Sequence, residues 1–178
     1  MDDIVKQAMR KWPHVPNCYG WLGLDARGDW YMRDDAVQAQ GTFAHAKGAR
    51  LVHDKLIEFI GRNYEADADG CWYFQNGPQR VYVELIATPW ICRLQPNAQV
   101  QLHTGERAQA HKALMDENGW LYLETDRGIG LVHTQDVVMA AELIEQGRWS
   151  LEEVIASELA ARYGFVQSPQ ALHASGQK

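Results

Sequence analysis

Polar and apolar positions alternate most regularly between Arg80 and Ala87. Val81, Val83, Leu85 and Ala87 fall on one side and Tyr82, Glu84 and Ile86 on the other, the period-2 signature of a half-buried strand. A turn at Asp67-Ala-Asp-Gly70, an aromatic stretch Trp72-Tyr73-Phe74 and a second turn at Asn76-Gly77-Pro78 precede it. Residues 67–87 therefore read as the central hairpin of a sheet, with Trp72, Tyr73, Phe74 and Trp90 supplying aromatic area to pack on it. Upstream, residues 2–11 place Ile4, Val5 and Ala8 on one side of a short helix, and Pro13 and Pro16 enforce an extended segment. Residues 19–32 read as a hairpin turning through Asp25 to Gly28, and residues 34–46 as a loop. Leu51, Val52, Leu56, Ile57, Phe59 and Ile60 recur at helical spacing, which predicts a helix over 47–64 ending at Gly61 and Asn63.

Downstream, alternation predicts short strands at 99–103, 113–115, 120–124 and 129–133. Thr134 or Asp136 is placed to cap a helix with Val137, Ala140, Ala141 and Ile144 on its inner side, closed by Gly147. Ser150-Leu-Glu-Glu153 has the form of a capping box and predicts a further helix to about Tyr163. Residues 167–178 read as a polar, frayed tail. Strands with helices segregated towards the end predict an α+β fold with a mostly antiparallel sheet. The expected organisation is an N-terminal hairpin and helix (1–66), a β-rich core (67–135), C-terminal helices packing on that core (136–166) and the flexible tail (167–178).

One pattern returns three times. Asp25-Ala-Arg-Gly28, Asp67-Ala-Asp-Gly70 and Asp116-Glu-Asn-Gly119 each lead into an aromatic or apolar strand with a tyrosine in it. Turn chemistry alone produces such segments, since Asp and Gly favour tight turns, and an internal duplication produces the same pattern. The unequal spacings leave both readings open.

Composition narrows the function classes. The hydrophobic fraction of 46% and the seven tryptophans exclude a disordered chain. A net charge of −6 without any Lys/Arg cluster argues against nucleic-acid binding, which needs a basic face. The polar start Met-Asp-Asp-Ile-Val-Lys-Gln lacks the apolar core of a signal peptide, and no apolar run approaches the ~20 residues of a membrane span, so the expectation is a cytoplasmic protein without membrane association. Cys18, Cys71 and Cys92 are widely spaced and match no zinc or redox pattern; Cys71 and Cys92 read as small buried hydrophobes.

Catalytic and metal motifs are missing. His53 and Glu58 do not share a helix face, and His103, Glu106 and His111 match no ligand spacing. Asp67-x-Asp69-Gly70 resembles the start of a calcium loop but lacks the downstream glutamate, so it reads as a turn, and no metal or cofactor is expected. No phosphate loop, dinucleotide fingerprint or serine-nucleophile elbow occurs. What remains is Arg80, Tyr82, Glu84, Trp90 and His133. Tyr82 and Glu84 lie on one strand face, about 7 Å apart, where Arg80 can recognise an anion and His133 can carry a proton if the face is open. If it is closed, Arg80 and Glu84 are a same-face pair of little energetic weight and the aromatics are core.

Taken in order, Arg50-Leu-Val, Leu56-Ile57 with Phe59, Asp67-Ala-Asp-Gly70, the aromatic strand, Pro78-Gln-Arg80 and Glu84…Pro89-Trp90 resemble the bacterial family catalogued as domain of unknown function twelve-eighty-five. Thr125-Asp-Arg-Gly128 and His133 extend the resemblance, which spans roughly residues 20–135. Two departures stand out: the family's Glu-Asp pair falls on Ile86-Ala87, and the glutamate of its Pro-x-Glu-Arg turn is Gln79. The resemblance implies two small β-rich units around a central helix and implies no activity. The leading expectation is a non-catalytic binding or regulatory module acting on an anionic small molecule or a protein partner, a second copy of the chain included. The alternative is a small-molecule enzyme using Glu84 and His133 as an acid/base pair.

Overall fold

The structure, a computed structural model, describes residues 1–176. In chain order the elements are α1 (Asp3–Lys11), β1 (Cys18–Leu24), β2 (Trp30–Met32), α2 (Asp35–Gln38), β3 (Ala49–Arg50), α3 (Asp54–Arg62), β4 (Tyr64–Ala66), β5 (Trp72–Asn76) and β6 (Gln79–Leu85). There follow β7 (Trp90–Leu94), β8 (Val100–Leu102), β9 (Arg107–Ala108), β10 (Ala110–Asp116), β11 (Leu121–Thr125), β12 (Gly128–Val132), α4 (Val137–Glu145), β13 (Leu151–Val154), α5 (Leu159–Tyr163) and α6 (Pro169–Gly176). The architecture is α+β. The chain divides into two compact units. The first takes residues 1–25, 29–86 and the C-terminal segment from Phe165; the second takes 26–28 and 87–164.

The first unit is built on a six-stranded sheet in the order β3-β2-β1-β6-β5-β4, and the second on a seven-stranded sheet in the order β13-β10-β11-β12-β7-β8-β9. Among the described residues eight strand pairings are antiparallel and three parallel: β1 with β6, β12 with β7, and β10 with β13. The β5–β6 hairpin closes with Asn76 opposite Gln79, so Gly77 and Pro78 form a two-residue loop. Gly77 opens it at φ 58°, a backbone position that other residues avoid. In the first core Leu22, Leu24, Trp30, Ile60, Phe74 and Val83 are buried, with the Phe59 and Phe74 rings meeting edge to face at 5.5 Å.

Four expectations are corrected. The helix predicted over 47–64 is confined to Asp54–Arg62; Ala49–Arg50 instead pairs with β2, placing Leu51 and Val52 outside any helix. The loop expected at 34–46 holds a helical turn whose N-cap, Asp34, accepts from the Val37 N–H. The Ser150 capping box opens no helix. Leu151–Val154 pairs in parallel with β10, and helix follows only at Leu159–Tyr163, because a sheet-edge ladder outcompetes the local capping preference. The tail expected to fray is ordered as far as it is described. Val166 bridges Cys71, the Leu85 N–H donates to the Gln167 carbonyl, and Pro169–Gly176 is helical; residues 177–178 lie outside the described residues.

The three Asp-x-x-Gly segments fold alike. Gly28, Gly70 and Gly119 have φ of 83°, 80° and 79°. In each, the aspartate N–H donates to the carbonyl four residues on, at 3.0, 3.0 and 3.1 Å. In each, Oδ1 accepts the N–H of that same residue: Asp29 at 3.1 Å, Cys71 at 2.9 Å and Trp120 at 2.9 Å. The other carboxylate oxygen takes a partner from outside the turn. Lys47 Nζ donates to Asp25 at 3.0 Å, the Tyr82 hydroxyl to Asp67 at 2.8 Å and the Tyr122 hydroxyl to Asp116 at 2.8 Å. A short acid thus closes each turn and takes a further partner beyond it, from another element at Asp25 and Asp67 and from the hairpin's own second strand at Asp116, so turn chemistry accounts for the shared residues.

Asp116 is 5% exposed and accepts from two backbone N–H groups and a phenol. Asp116→Ala should therefore destabilise the protein by about 2–3 kcal/mol, whereas Asp116→Asn, which keeps Oδ1, should cost less than half of that. Urea unfolding followed by tryptophan fluorescence measures both.

Candidate functional site

Strand β6 is buried on both sides, not one. Val83 and Leu85 face the first unit's apolar core, while Tyr82 and Glu84 lie beneath the C-terminal segment. The register pairs Tyr73 with Tyr82 and Gln75 with Arg80, so the polar side of the sheet reads Gln75, Tyr73, Arg80, Tyr82, Glu84. Its centre is an aromatic stack. His173 of α6 lies on Tyr19 at 4.1 Å, Tyr19 lies on Tyr82 at 4.6 Å, and Tyr73 meets Tyr82 edge to face at 5.8 Å. Burial, then the hydrogen bond to Asp67, pushes the Tyr82 hydroxyl up to about 12, so it remains a donor.

At one end of this face Glu84, 4% exposed, accepts from the Ser168 hydroxyl at 2.5 Å and from the Gln170 N–H at 2.9 Å. The carboxylate thereby holds the start of α6, where helix N–H groups otherwise lack acceptors. Burial raises its pKa, opposed by Ser168, Gln170 and the charge of Arg33. Arg33, fully buried, donates to the carbonyls of Gly41 at 2.6 Å, Ala46 at 2.9 Å and Gly20 at 3.3 Å. This end is a closed polar network with both charges supplied with partners.

The other end is open. Arg80 stands over the Tyr73 ring at 4.5 Å, and among the described residues it makes no ion pair with a carboxylate. Burial disfavours its charge, but a hydrogen bond with Tyr82 and the nearby Tyr73 and Asp67 hold its pKa above the usual value. It lines a cavity of about 320 Å³ with Met9, Trp12, Pro13, Val15, Asn17, Gln75 and Pro78. Gln75 is 1% exposed; its Nε2 donates to the Gly77 carbonyl at 2.9 Å, while its Oε1 has no hydrogen-bond partner among the described residues. Trp12, 51% exposed, forms the rim.

The sequence-predicted residues separate accordingly. Arg80, Tyr82 and Glu84 share the first unit's sheet face, whereas Trp90 and His133 belong to the second unit. Trp90 is buried, donates from Nε1 to the Arg127 carbonyl at 2.7 Å and packs beside His103. His133 is buried and accepts the Gln135 N–H at Nδ1, 3.2 Å, opening the turn that leads into α4. Asp136, read as a cap, instead accepts from Arg93 at 2.6 Å and from the Leu94 N–H at 3.0 Å. Among the described residues no group of three His, Cys, Asp or Glu is placed to hold a metal ion, and no helix is long and apolar enough to cross a membrane.

Gln75, Trp12, Asn17 and Ser168 were not singled out in the sequence, and Asp67 was read only as a turn residue. The two-residue Gly77-Pro78 loop is the signal that places Gln75 opposite Arg80. Nothing local points to Trp12 or Ser168, which reach the face from either end of the chain.

Glu84→Gln should change stability by less than about 1 kcal/mol at pH 7, since the amide can accept from Gln170 and donate to Ser168; Glu84→Ala should cost about 2–4 kcal/mol. A raised folded-state pKa favours the protonated form in the native protein. The carboxyl's contribution is therefore fully present below its unfolded pKa near 4.5 and is lost as pH rises through the folded value. Unfolding midpoints between pH 4 and 8 should show a slope of that sign in the parent protein that Glu84→Gln removes.

Known proteins bear on the family and not on an activity. No curated protein matches the chain. Among solved structures, a DUF1285 family protein from Silicibacter pomeroyi DSS-3 is similar at 12% identity and TM-score 0.49, covering 80% of this chain and 85% of that one. A DUF1285 family protein from Shewanella baltica OS155 is similar at 15% identity and TM-score 0.46, covering 68% and 91%. The order of motifs in the sequence resembles that same uncharacterised family. A family model described as "Protein of unknown function (DUF2946)" matches residues 1–170, nearly the whole chain, and the protein belongs to that family.

Proposed function

We propose that the protein is a non-catalytic binding module that takes an anionic small molecule at Arg80, on the polar side of the first unit's sheet. The observation that carries this reading is a guanidinium with no carboxylate beside it to pair with. Arg80 lines a cavity of about 320 Å³ with no carboxylate paired to it among the described residues, whereas Arg33, Arg93 and Arg162 each have acceptors. Arg80 has a hydrogen bond with Tyr82 but no acid to neutralise it, and a guanidinium in that state suits carboxylate or phosphate.

The acids nearby are committed to structure. Glu84 holds the start of α6, and Asp67 closes its hairpin and orients Tyr82. His133 spends Nδ1 on a backbone N–H in the other unit. A general base must be within reach of substrate, and the hydrogen bonds these groups make hold them to the fold. This supports binding over the acid/base reading of Glu84 and His133.

In a thermal-shift screen of anionic metabolites, a ligand at 100 times its Kd should raise the melting temperature by about 5 °C or more. The rise should vanish in Arg80→Ala and persist in Glu84→Gln. Turnover of a metabolite that is lost in Glu84→Gln would overturn the reading.

A further inference from the structure

We propose that the segment from Val166 to Gly176 is a reversible strap over the closed end of the first unit's polar sheet face. It lifts without unfolding that unit, and it gates access to the Cys71 thiol, the Tyr19 and Tyr82 rings and the Glu84 carboxylate. The proposal does not rest on the anion-binding reading of Arg80.

The way the segment is held decides how it leaves. Its attachments are few and mostly polar. The Val166 N–H donates to the Gly70 carbonyl at 3.0 Å, the Leu85 N–H donates to the Gln167 carbonyl at 2.8 Å, and Ser168 and Gln170 donate to Glu84. Gln170 also donates to Gln38 at 2.9 Å, and the His173 ring lies on Tyr19 at 4.1 Å. Each hydrogen bond is exchanged for one with water when the segment lifts, so each contributes little net. Lifting also returns the enclosed Glu84 carboxylate to water, which favours its charge. Apolar burial, the main resistance to opening, is slight in α6: Pro169 is its one buried residue, and Leu172 is 49% exposed.

The sheet left behind is complete without the strap. Strands β1, β6 and β5 remain paired with one another, and Ile60, Phe74 and Val83 fill the core on the other side. Beneath the strap, Cys71 clusters with Tyr73 and Tyr82, and Val166 and Tyr19 pack against that cluster. Cys71 is 5% exposed, and burial, followed by the charges of Asp67, Asp69 and Glu84, pushes its thiol up to about 11. Closed, the thiol is unreactive; the movement that frees Glu84 and Tyr19 also uncovers it, so Cys71 reports the opening.

Alkylation of the full chain by N-ethylmaleimide, read at each cysteine by mass spectrometry over a series of urea concentrations below the unfolding transition, tests this. A short segment exposes little surface when it lifts, so the Cys71 rate should rise less than about twofold per molar urea. Cys92, 0% exposed in the second unit, should react only through unfolding, with a rate that rises about fivefold or more per molar. Ser168→Ala and His173→Ala, at positions outside the core, should each speed Cys71 about threefold or more and leave Cys92 unchanged. A Cys71 rate that climbs with urea as steeply as that of Cys92 would overturn the proposal, because the thiol would then be reached through unfolding alone. A shallow rate that neither substitution raises would place the route to Cys71 elsewhere and overturn it too. Equal acceleration of Cys71 and Cys92 by the substitutions would do the same, since the effect would then be a general loss of stability.

Discussion

The carboxylate of Asp67 is the point on which the first unit's polar face depends. One oxygen accepts the N–H groups of Asp69 and Cys71 and closes the β4–β5 hairpin; the other accepts the Tyr82 hydroxyl at 2.8 Å. A local turn and a neighbouring strand are thereby held by one side chain. Tyr82, fixed in this way, supports Tyr19 and through it His173 on one side, and the Arg80 guanidinium on the other. The same device recurs at Asp116 with Tyr122, where it serves only the second unit's packing. A turn chemistry common to several hairpins thus has different reach at each, set by what lies beyond the tyrosine.

The two ends of this face show how burial assigns a charged group its role. Glu84 and Arg33 are both almost fully enclosed, and a buried charge is tolerated only with hydrogen-bond partners. Ser168, Gln170 and the three carbonyls around Arg33 meet that demand, so both groups are held by the fold. Arg80 is less buried, and an aromatic ring takes the place of an acid beside it. Cation–π contact steadies a guanidinium without neutralising it, and the hydrogen bond with Tyr82 adds to that hold. Residues that look equivalent along one strand thus end in different surroundings, one enclosed and held by hydrogen bonds and the other partly exposed beside an aromatic ring.

Much of the fold was legible from local pattern. The three Asp-x-x-Gly turns, the alternation of β6, the apolar stripe of α3 and the Gly77-Pro78 loop each follow from φ restrictions and side-chain spacing within a few residues. Errors occurred where a local preference met a distant partner. Ser150 to Glu153 satisfies a capping box, yet Leu151–Val154 gains a full parallel ladder on β10. The polar C-terminal stretch lacks an apolar stripe, yet Glu84 supplies the acceptors that hold its helix.

The sequence by itself determined the α+β class and the mostly antiparallel hairpins, because those rest on periodicity and turn chemistry. Only the tertiary structure decided which face of β6 is closed and which end stays open. The parallel pairing of β1 with β6, the docking of α6 on Tyr19 and Glu84, and the placing of Trp12 beside Arg80 join residues 60 or more positions apart. Closing such loops costs entropy that no local pattern records, and only the sum of contacts made at the far end decides whether it is recovered.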